Sequence, residues 1–151
     1  MKVLITGVEG YIGTMLAEVL MDSGLEVIGL DAGFYRDGHL YDGVKTPKTI
    51  IRKDIRNIEE SDLVGIDAVV HLAELSNDPL GENDPELTID INHKGTARLA
   101  ELSKKVGVKR FVYSSSCSVY GASENIADET SEINPLTTYA KCKILNEQLL
   151  K

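Results

Sequence analysis

Strands and helices alternate along the chain, three glycines separated by pairs of residues follow the first strand, and a fourth strand is apolar almost throughout. These observations predict an α/β protein built on a doubly wound parallel sheet of about five strands. A parallel sheet covered on both faces needs strands that are apolar on both sides, and Asp67-Ala68-Val69-Val70-His71-Leu72-Ala73 has that character. At 151 residues the chain is read as one domain, large enough to bury roughly 70% of the surface that its unfolded form exposes.

The first strand, Val3-Leu4-Ile5-Thr6, runs into Gly7, Gly10 and Gly13. Gly7 suits the positive φ of a tight strand-to-helix turn, Gly10 leaves room for a pyrophosphate, and Gly13 lets the helix approach the strand. The free N–H groups and partial positive charge of the helix N-terminus would receive the anion. Ile12, Leu16, Val19 and Leu20 recur at helical spacing, and Ser23-Gly24 ends that helix before the strand Glu26 to Leu30. Asp31 closes this second strand 18 residues after Gly13, near the spacing of a ribose-binding carboxylate. Residues 32–48 read as a long loop with at most one helical turn, either a surface insertion or a segment lying beside the adenosine half of a dinucleotide.

Thr49 to Lys53 forms a third strand leading to Asp54-Ile55, and Ile58 to Val64 suggests a short helix. After the fourth strand comes a loop, Glu74 to Asp84. Asp84-Pro85 then opens a long helix with Leu87, Ile91, Gly95, Leu99, Leu102 and Val106 along one stripe, ended by Gly107. The fifth strand, Arg110 to Ser114, opens into a serine-rich turn, and a polar loop leads to a terminal helix from about Thr137.

Composition narrows the partners. Twenty-four carboxylates against sixteen Lys and Arg give a net charge of −8, which opposes nonspecific nucleic-acid binding, so an anionic ligand must be held by local geometry. Cys117 and Cys142 have no paired-ligand spacing, which argues against a disulfide framework and a zinc site; no metal is expected, and a reducing cytoplasm fits. A strand starting at Lys2 leaves no signal peptide to read, and no apolar run approaches a membrane span.

Tyr139 and Lys143 stand four apart near the start of the terminal helix and so share a face. Most such pairs lie on solvated surface. What gives this one weight is Ser116, just after the fifth strand at the carboxyl edge of the sheet, where open α/β folds bind ligands. A tyrosine near an ammonium and a bound nicotinamide cation should titrate below the usual ~10 and could serve as a base at neutral pH. Ser114, Ser115 and Ser118 are read as hydroxyls satisfying the strand end. His71 is read as a satisfied core or cofactor-wall residue, both cysteines as small buried hydrophobes, and His39 and His93 as belonging to no constellation.

In Thr6-Gly7-Val8-Glu9-Gly10-Tyr11-Ile12-Gly13, Asp54-Ile55, His71-Leu72-Ala73, Ser114 to Gly121 and Tyr139-Ala140-Lys141-Cys142-Lys143, the sequence resembles the extended short-chain dehydrogenase/reductase superfamily, specifically its NAD-dependent nucleotide-sugar epimerases and dehydratases. The resemblance covers essentially the whole chain and implies a Rossmann fold with NAD bound by Gly7, Gly10, Tyr11, Ile12 and Gly13. Asp31 would hold the adenosine ribose, Asp54 with the Ile55 backbone the adenine, and Leu72 and Ala73 would line the cofactor. Asn92 would contact it or fix the loop beside it. Tyr139 would take a proton from a sugar hydroxyl while hydride moves to NAD, Lys143 would hold the nicotinamide ribose and acidify Tyr139, and Ser116 would hydrogen-bond the same hydroxyl. Ser76 would lie on the nicotinamide or substrate side. Relatives pair through the long and terminal helices, so a homodimer is expected.

Two departures stand out. Glu74 occupies a position where relatives usually carry a small residue, and it could face a substrate group or solvent. The sequence also stops at Lys151, where relatives continue into a C-terminal substrate domain. Residues 1–151 are thus expected to be an NAD-binding domain cut within or just after the helix of Tyr139 and Lys143. A nucleotide-sugar enzyme and a non-catalytic NAD-binding module both remain open.

Overall fold

A computed structural model describes residues 1–36, 38, 43–122 and 126–151. His39 and part of the loop expected at 32–48 lie outside the described residues. Contacts divide the chain into two compact units, Met1–Ala73 with Arg98–Ser114, and Glu74–Ala97 with Ser115–Lys151.

The first unit holds the sheet. Strands β1 (Lys2–Thr6), β2 (Glu26–Asp31), β3 (Thr49–Arg52), β4 (Ala68–His71) and β5 (Arg110–Tyr113) lie in the order β3-β2-β1-β4-β5, with every neighbouring pair parallel. This is the doubly wound Rossmann order, in which the chain leaves β1 in one direction and returns to build the other half from β4. Right-handed crossovers running in opposite directions along a sheet place their helices on opposite faces. Register brings Thr6 beside His71 and Asp31 beside Arg52, so the carboxyl ends of the strands share one edge.

Helix α1 (Tyr11–Asp22) packs Leu16, Leu20 and Met21 against a core of Val3, Ile5, Val8, Ala17, Val27 and Ala68. Its buried residues are Gly13, Thr14 and Ala17, whereas Ile12 and Val19 of the expected stripe are 58% exposed. The first turn of the helix comes so close to the loop after β1 that Gly13 has no room for a side chain. The short helix expected at 58–64 is replaced by two 3₁₀ turns, Ile55–Asn57 and Glu60–Leu63. Asp54 caps the first, and Glu59 and Asp62 cap the second reciprocally. Lys53 holds both of those carboxylates, at 2.9 and 2.7 Å.

In the second unit, the segment expected to be loop from Glu74 to Asp84 contains helix α2 (Asp78–Asn83), whose first free N–H groups are met by the Asn77 side chain accepting from the Leu80 N–H at 2.9 Å. Asp84 caps α3 (Pro85–Thr88) in the same way, accepting from the Leu87 N–H at 2.9 Å. The long helix then continues through a π-helical turn, Ile89–Lys94, into α4 (Gly95–Val106), whose later residues belong to the first unit. Of the expected apolar stripe, Gly95 and Leu99 are buried, Ile91, Leu102 and Val106 are half-buried, and Leu87 is exposed. Thr88, Asn92, Thr96 and Ser103 are buried beside them, so the inner face is partly polar; of these side chains, that of Ser103 makes no hydrogen bond among the described residues. Helix α5 (Thr138–Leu149) begins at Thr137, which caps it by accepting from the Ala140 N–H at 3.1 Å. Among the described residues no helix is long and apolar enough to cross a membrane.

Candidate functional site

The first unit carries the glycine loop. Gly7 has φ +71°, and a Cβ there would lie 2.8 Å from the Ala73 nitrogen; a Cβ on Gly13 would lie 2.1 Å from the Gly7 carbonyl oxygen. Both positions are therefore closed to larger residues by backbone. Gly10 differs, since a Cβ there would meet only the Gly7 oxygen, at 3.3 Å, leaving that side of the loop open. Gly10 is also the N-cap of α1, which has neither a side-chain cap nor an acid in its first turn, and Tyr11 and Ile12 above it are exposed. An uncapped helix N-terminus beside an open glycine suits a phosphate group.

Asp31 ends β2 with both carboxylate oxygens fixed, accepting from the N–H of Glu9 at 2.9 Å and of Gly33 at 2.8 Å. A carboxylate so oriented keeps lone pairs for a ribose hydroxyl. Beside it the Arg52 guanidinium pairs with Glu9, and that hydrogen bond raises the arginine further above its ordinary value. Sequence reasoning missed this pair because its members are 43 residues apart. Asp54, expected at the adenine, is engaged by its neighbour: the Arg56 side chain, then its backbone N–H at 2.9 Å, hold the carboxyl below its usual range against the opposing effect of burial. Ile55 is buried.

Leu72 and Ala73 follow β4, and their N–H groups both donate to the Thr6 hydroxyl oxygen at 3.2 Å. The same hydroxyl stands 2.7 Å from His71 Nδ1. His71 is thus a buried, satisfied residue that locks the ends of β1 and β4 together. The open cradle and the oriented Asp31 fit a dinucleotide.

The second unit collects Ser116, Tyr139 and Lys143. Ser116 begins a 3₁₀ turn, Cys117–Tyr120, its hydroxyl accepting from the Ser118 N–H at 3.2 Å and standing 3.1 Å from the Ser118 hydroxyl. Tyr139 and Lys143 face inward from α5 and are buried, with the ammonium 5.2 Å from the tyrosine ring centroid. Burial pushes the Tyr139 phenol above its ordinary value; a hydrogen bond with Ser116 pulls it down, while the carboxylates of Glu74 and Asp78 push it up. In the chain alone this reverses the downward shift expected from the sequence. Burial is the main reason, and Glu74 adds to it; that residue does not face solvent, since its side chain is 3% exposed and forms an ion pair with Lys143, 5% exposed.

Asn92 lies in the π turn and spends its amide on the loop, accepting from the Leu75 N–H at 2.8 Å and donating to the Leu75 carbonyl at 3.0 Å. It is fully buried. Its own carbonyl accepts from the Thr96 hydroxyl at 2.6 Å and from Asn146 Nδ2 at 2.7 Å. Asn146 then presents its oxygen to His93 Nδ1 at 2.8 Å, so His93 belongs to a network after all. Ser76 is exposed in the loop just before α2. Cys142 is buried, its thiol pushed up to about 11 by desolvation, but Cys117 is exposed, contrary to expectation. A cleft of about 370 Å³ opens beside Ser118, Cys117, Asp78, Leu136 and Thr137. No cluster of three His, Cys, Asp or Glu among the described residues could hold a metal ion.

Residues 3–151 match the model of the NAD dependent epimerase/dehydratase family. The chain belongs to that family. It is 34% identical to a UDP-glucose 4-epimerase of Mycolicibacterium smegmatis over 99% of this chain and 50% of the relative. Among solved structures it is similar to TunA, an NAD dependent NDP-hexosamine 5,6-dehydratase involved in tunicamycin biosynthesis (TM-score 0.87, 32% identity, 99% of this chain and 48% of the other). It is also similar to MoeE5 in complex with UDP-glucose and NAD (TM-score 0.86, 31% identity, 99% and 48%). The chain spans about half the length of the curated relatives it matches.

Proposed function

We propose that this chain is the cofactor-binding portion of an NAD-dependent enzyme of the epimerase/dehydratase type, acting on a nucleotide-sugar with Tyr139 as the base. The observation that carries the reading is the burial of Tyr139 and Lys143 on one face of α5 within reach of Ser116, in a chain whose glycine loop and Asp31 fit NAD. NAD, when bound, accepts hydride from a sugar carbon and returns it.

The chain's own residues would do the rest. Gly10 and the first N–H groups of α1 take the pyrophosphate, and Asp31 accepts from the ribose. The resemblance adds contacts from Tyr11, Ile12, Leu72, Ala73, Asp54 and Ile55. Ser116 orients the reacting sugar hydroxyl, possible because its own oxygen is already anchored at Ser118. Tyr139 removes that hydroxyl's proton. Lys143 holds the nicotinamide ribose and stabilises the phenolate by its charge.

A second reading, a module that binds NAD without turnover, is favoured by one fact: the chain covers about half of its relatives. Holding the sugar carbon about 3–3.5 Å from the hydride acceptor draws on binding energy from the remote nucleotide half of the substrate. Incubation with NAD and a panel of UDP-, GDP- and dTDP-sugars separates the readings. Turnover that vanishes in Tyr139→Phe supports the enzyme; NAD binding with no product from any sugar supports the module.

We also propose a cytoplasmic homodimer formed through the long helix and α5. Leu87 and Ile89, 38% exposed, together with Leu145 and Leu149, 43% and 48% exposed, supply apolar surface on those elements. Sedimentation showing only monomer at tens of micromolar would remove this part.

A further inference from the structure

Glu74 follows the fourth strand by three residues, at a position where the family resemblance leads one to expect a small side chain. Instead a carboxylate is buried there against Lys143, with both side chains 5% exposed or less. Its place is fixed from the adjacent residue, because the Asn92 amide grips both the N–H and the carbonyl of Leu75. A buried charge pair is costly to break from one side, since the partner is left uncompensated. Such a pair also presents a dipole, rather than a full positive charge, to a third group nearby. The third group here is Tyr139, whose ring centroid lies 5.2 Å from the Lys143 ammonium.

We propose that Glu74 is a positioning residue that holds the Lys143 ammonium and offsets the field this ammonium exerts on the Tyr139 phenol. The proposal rests on the reading of Tyr139 as base and Lys143 as its cationic partner. Among the described residues, the groups that act on Tyr139 are Ser116 and Cys117 from the turn after β5, Glu74 from the loop after β4, Asp78 from α2, and Lys143 from α5 itself. Of these groups Lys143 is the cation, and Glu74 is the carboxylate paired with it. Burial first, with the neighbouring carboxylates, keeps the phenol of the chain alone protonated at neutral pH, and any change that draws Lys143 away from Glu74 releases the ammonium to favour phenolate.

The test needs neither turnover nor NAD. With the tyrosine ring carbon beside the hydroxyl labelled with ¹³C, the Tyr139 resonance, assigned by its loss in Tyr139→Phe, is followed through a pH titration of the 151-residue chain. Glu74→Gln should lower the midpoint by on the order of one unit, Lys143→Met should raise it, and the double variant should return toward wild type. Glu74→Ala, with the small side chain expected at this position, serves if the glutamine variant does not fold; Lys143→Met is read independently of both. A midpoint unmoved or raised by loss of Glu74 would overturn the proposal, as would a double variant that stays at the Glu74→Gln value, since Lys143 would then have no influence on Tyr139. An ion pair that merely anchors the loop would alter the melting temperature without ordering the midpoints in this way. Should the midpoints order as stated while Tyr139→Phe retains turnover, the assignment of the base fails and the Glu74 pairing stands.

Discussion

Replacing Gly13 by alanine and Gly10 by alanine adds the same methyl group three residues apart, yet the structure assigns the two changes opposite consequences. At Gly13 the new Cβ would lie 2.1 Å from the Gly7 carbonyl oxygen and 2.8 Å from the Val8 Cα, both backbone atoms that no rotamer change can move. Restoring ordinary contact requires α1 and the loop to separate by more than an ångström. Overpacking of this kind costs about 1–3 kcal/mol where side chains can yield, and more where only backbone can. Gly13→Ala should therefore lose at least ~3 kcal/mol of stability and more than a hundredfold in NAD affinity.

At Gly10 the Cβ meets only the Gly7 oxygen at 3.3 Å, and the backbone angles, φ −76° and ψ 171°, are open to alanine. The poorer N-cap costs about 0.5–1 kcal/mol, and the reduced entropy of the unfolded chain returns a similar amount. Stability should stay within ~1 kcal/mol of wild type while NAD affinity falls, because the methyl enters the space proposed for the pyrophosphate. Urea denaturation with calorimetric titration of NAD measures both quantities. A Gly10→Ala protein that binds NAD as wild type does, or a Gly13→Ala protein that melts as wild type does, would refute the reasoning about this loop.

Asp31→Ala should narrow the preference for NAD over NADP, since it removes an acceptor for the ribose 2′-hydroxyl and a repulsion against a 2′-phosphate together; equal affinities already in wild type would contradict this. The Asp54 carboxyl titrates below its unfolded value because of Arg56, so its stabilising contribution is present above about pH 4 and lost as pH falls through the folded value. Asp54→Asn should thus destabilise the chain at pH 7 and cease to do so in strong acid, as urea melts across that range would register. Of the two thiols, exposed Cys117 should react with Ellman's reagent at once and Cys142 only after denaturation; equal rates in the native protein would mean that α5 is not packed as described.

The parallel sheet, its glycine loop and the carboxylate ending β2 were legible because each depends on residues close together in sequence. What was misread depends on close approach or on distant partners. Large apolar residues suggested a stripe through Ile12 and Val19, but the backbone contact at Gly13 turns the small residues Thr14 and Ala17 inward instead. The inner face of the long helix can be partly polar because Asn146 supplies donors to Asn92 and Thr96 from fifty or more residues away, and no periodicity announces such a pairing. The same distance hid the partner of Glu74. Helix α2 could have been found, since Asn77-Asp78-Pro79 combines a cap with a proline in the first turn.

The carbonyl of Asn92 is met by Asn146, 54 residues later, and the carboxylate of Glu74 by Lys143, later still. The Thr96 hydroxyl that also meets the Asn92 carbonyl is made early, but Asn146 and Lys143 are added only with α5. The strands of the first unit, by contrast, are all present once Tyr113 has been added. On a translating ribosome the sheet can therefore pair while the polar interior of the second unit is still wet. That unit is complete only when α5 brings Lys143 to Glu74 and Asn146 to Asn92.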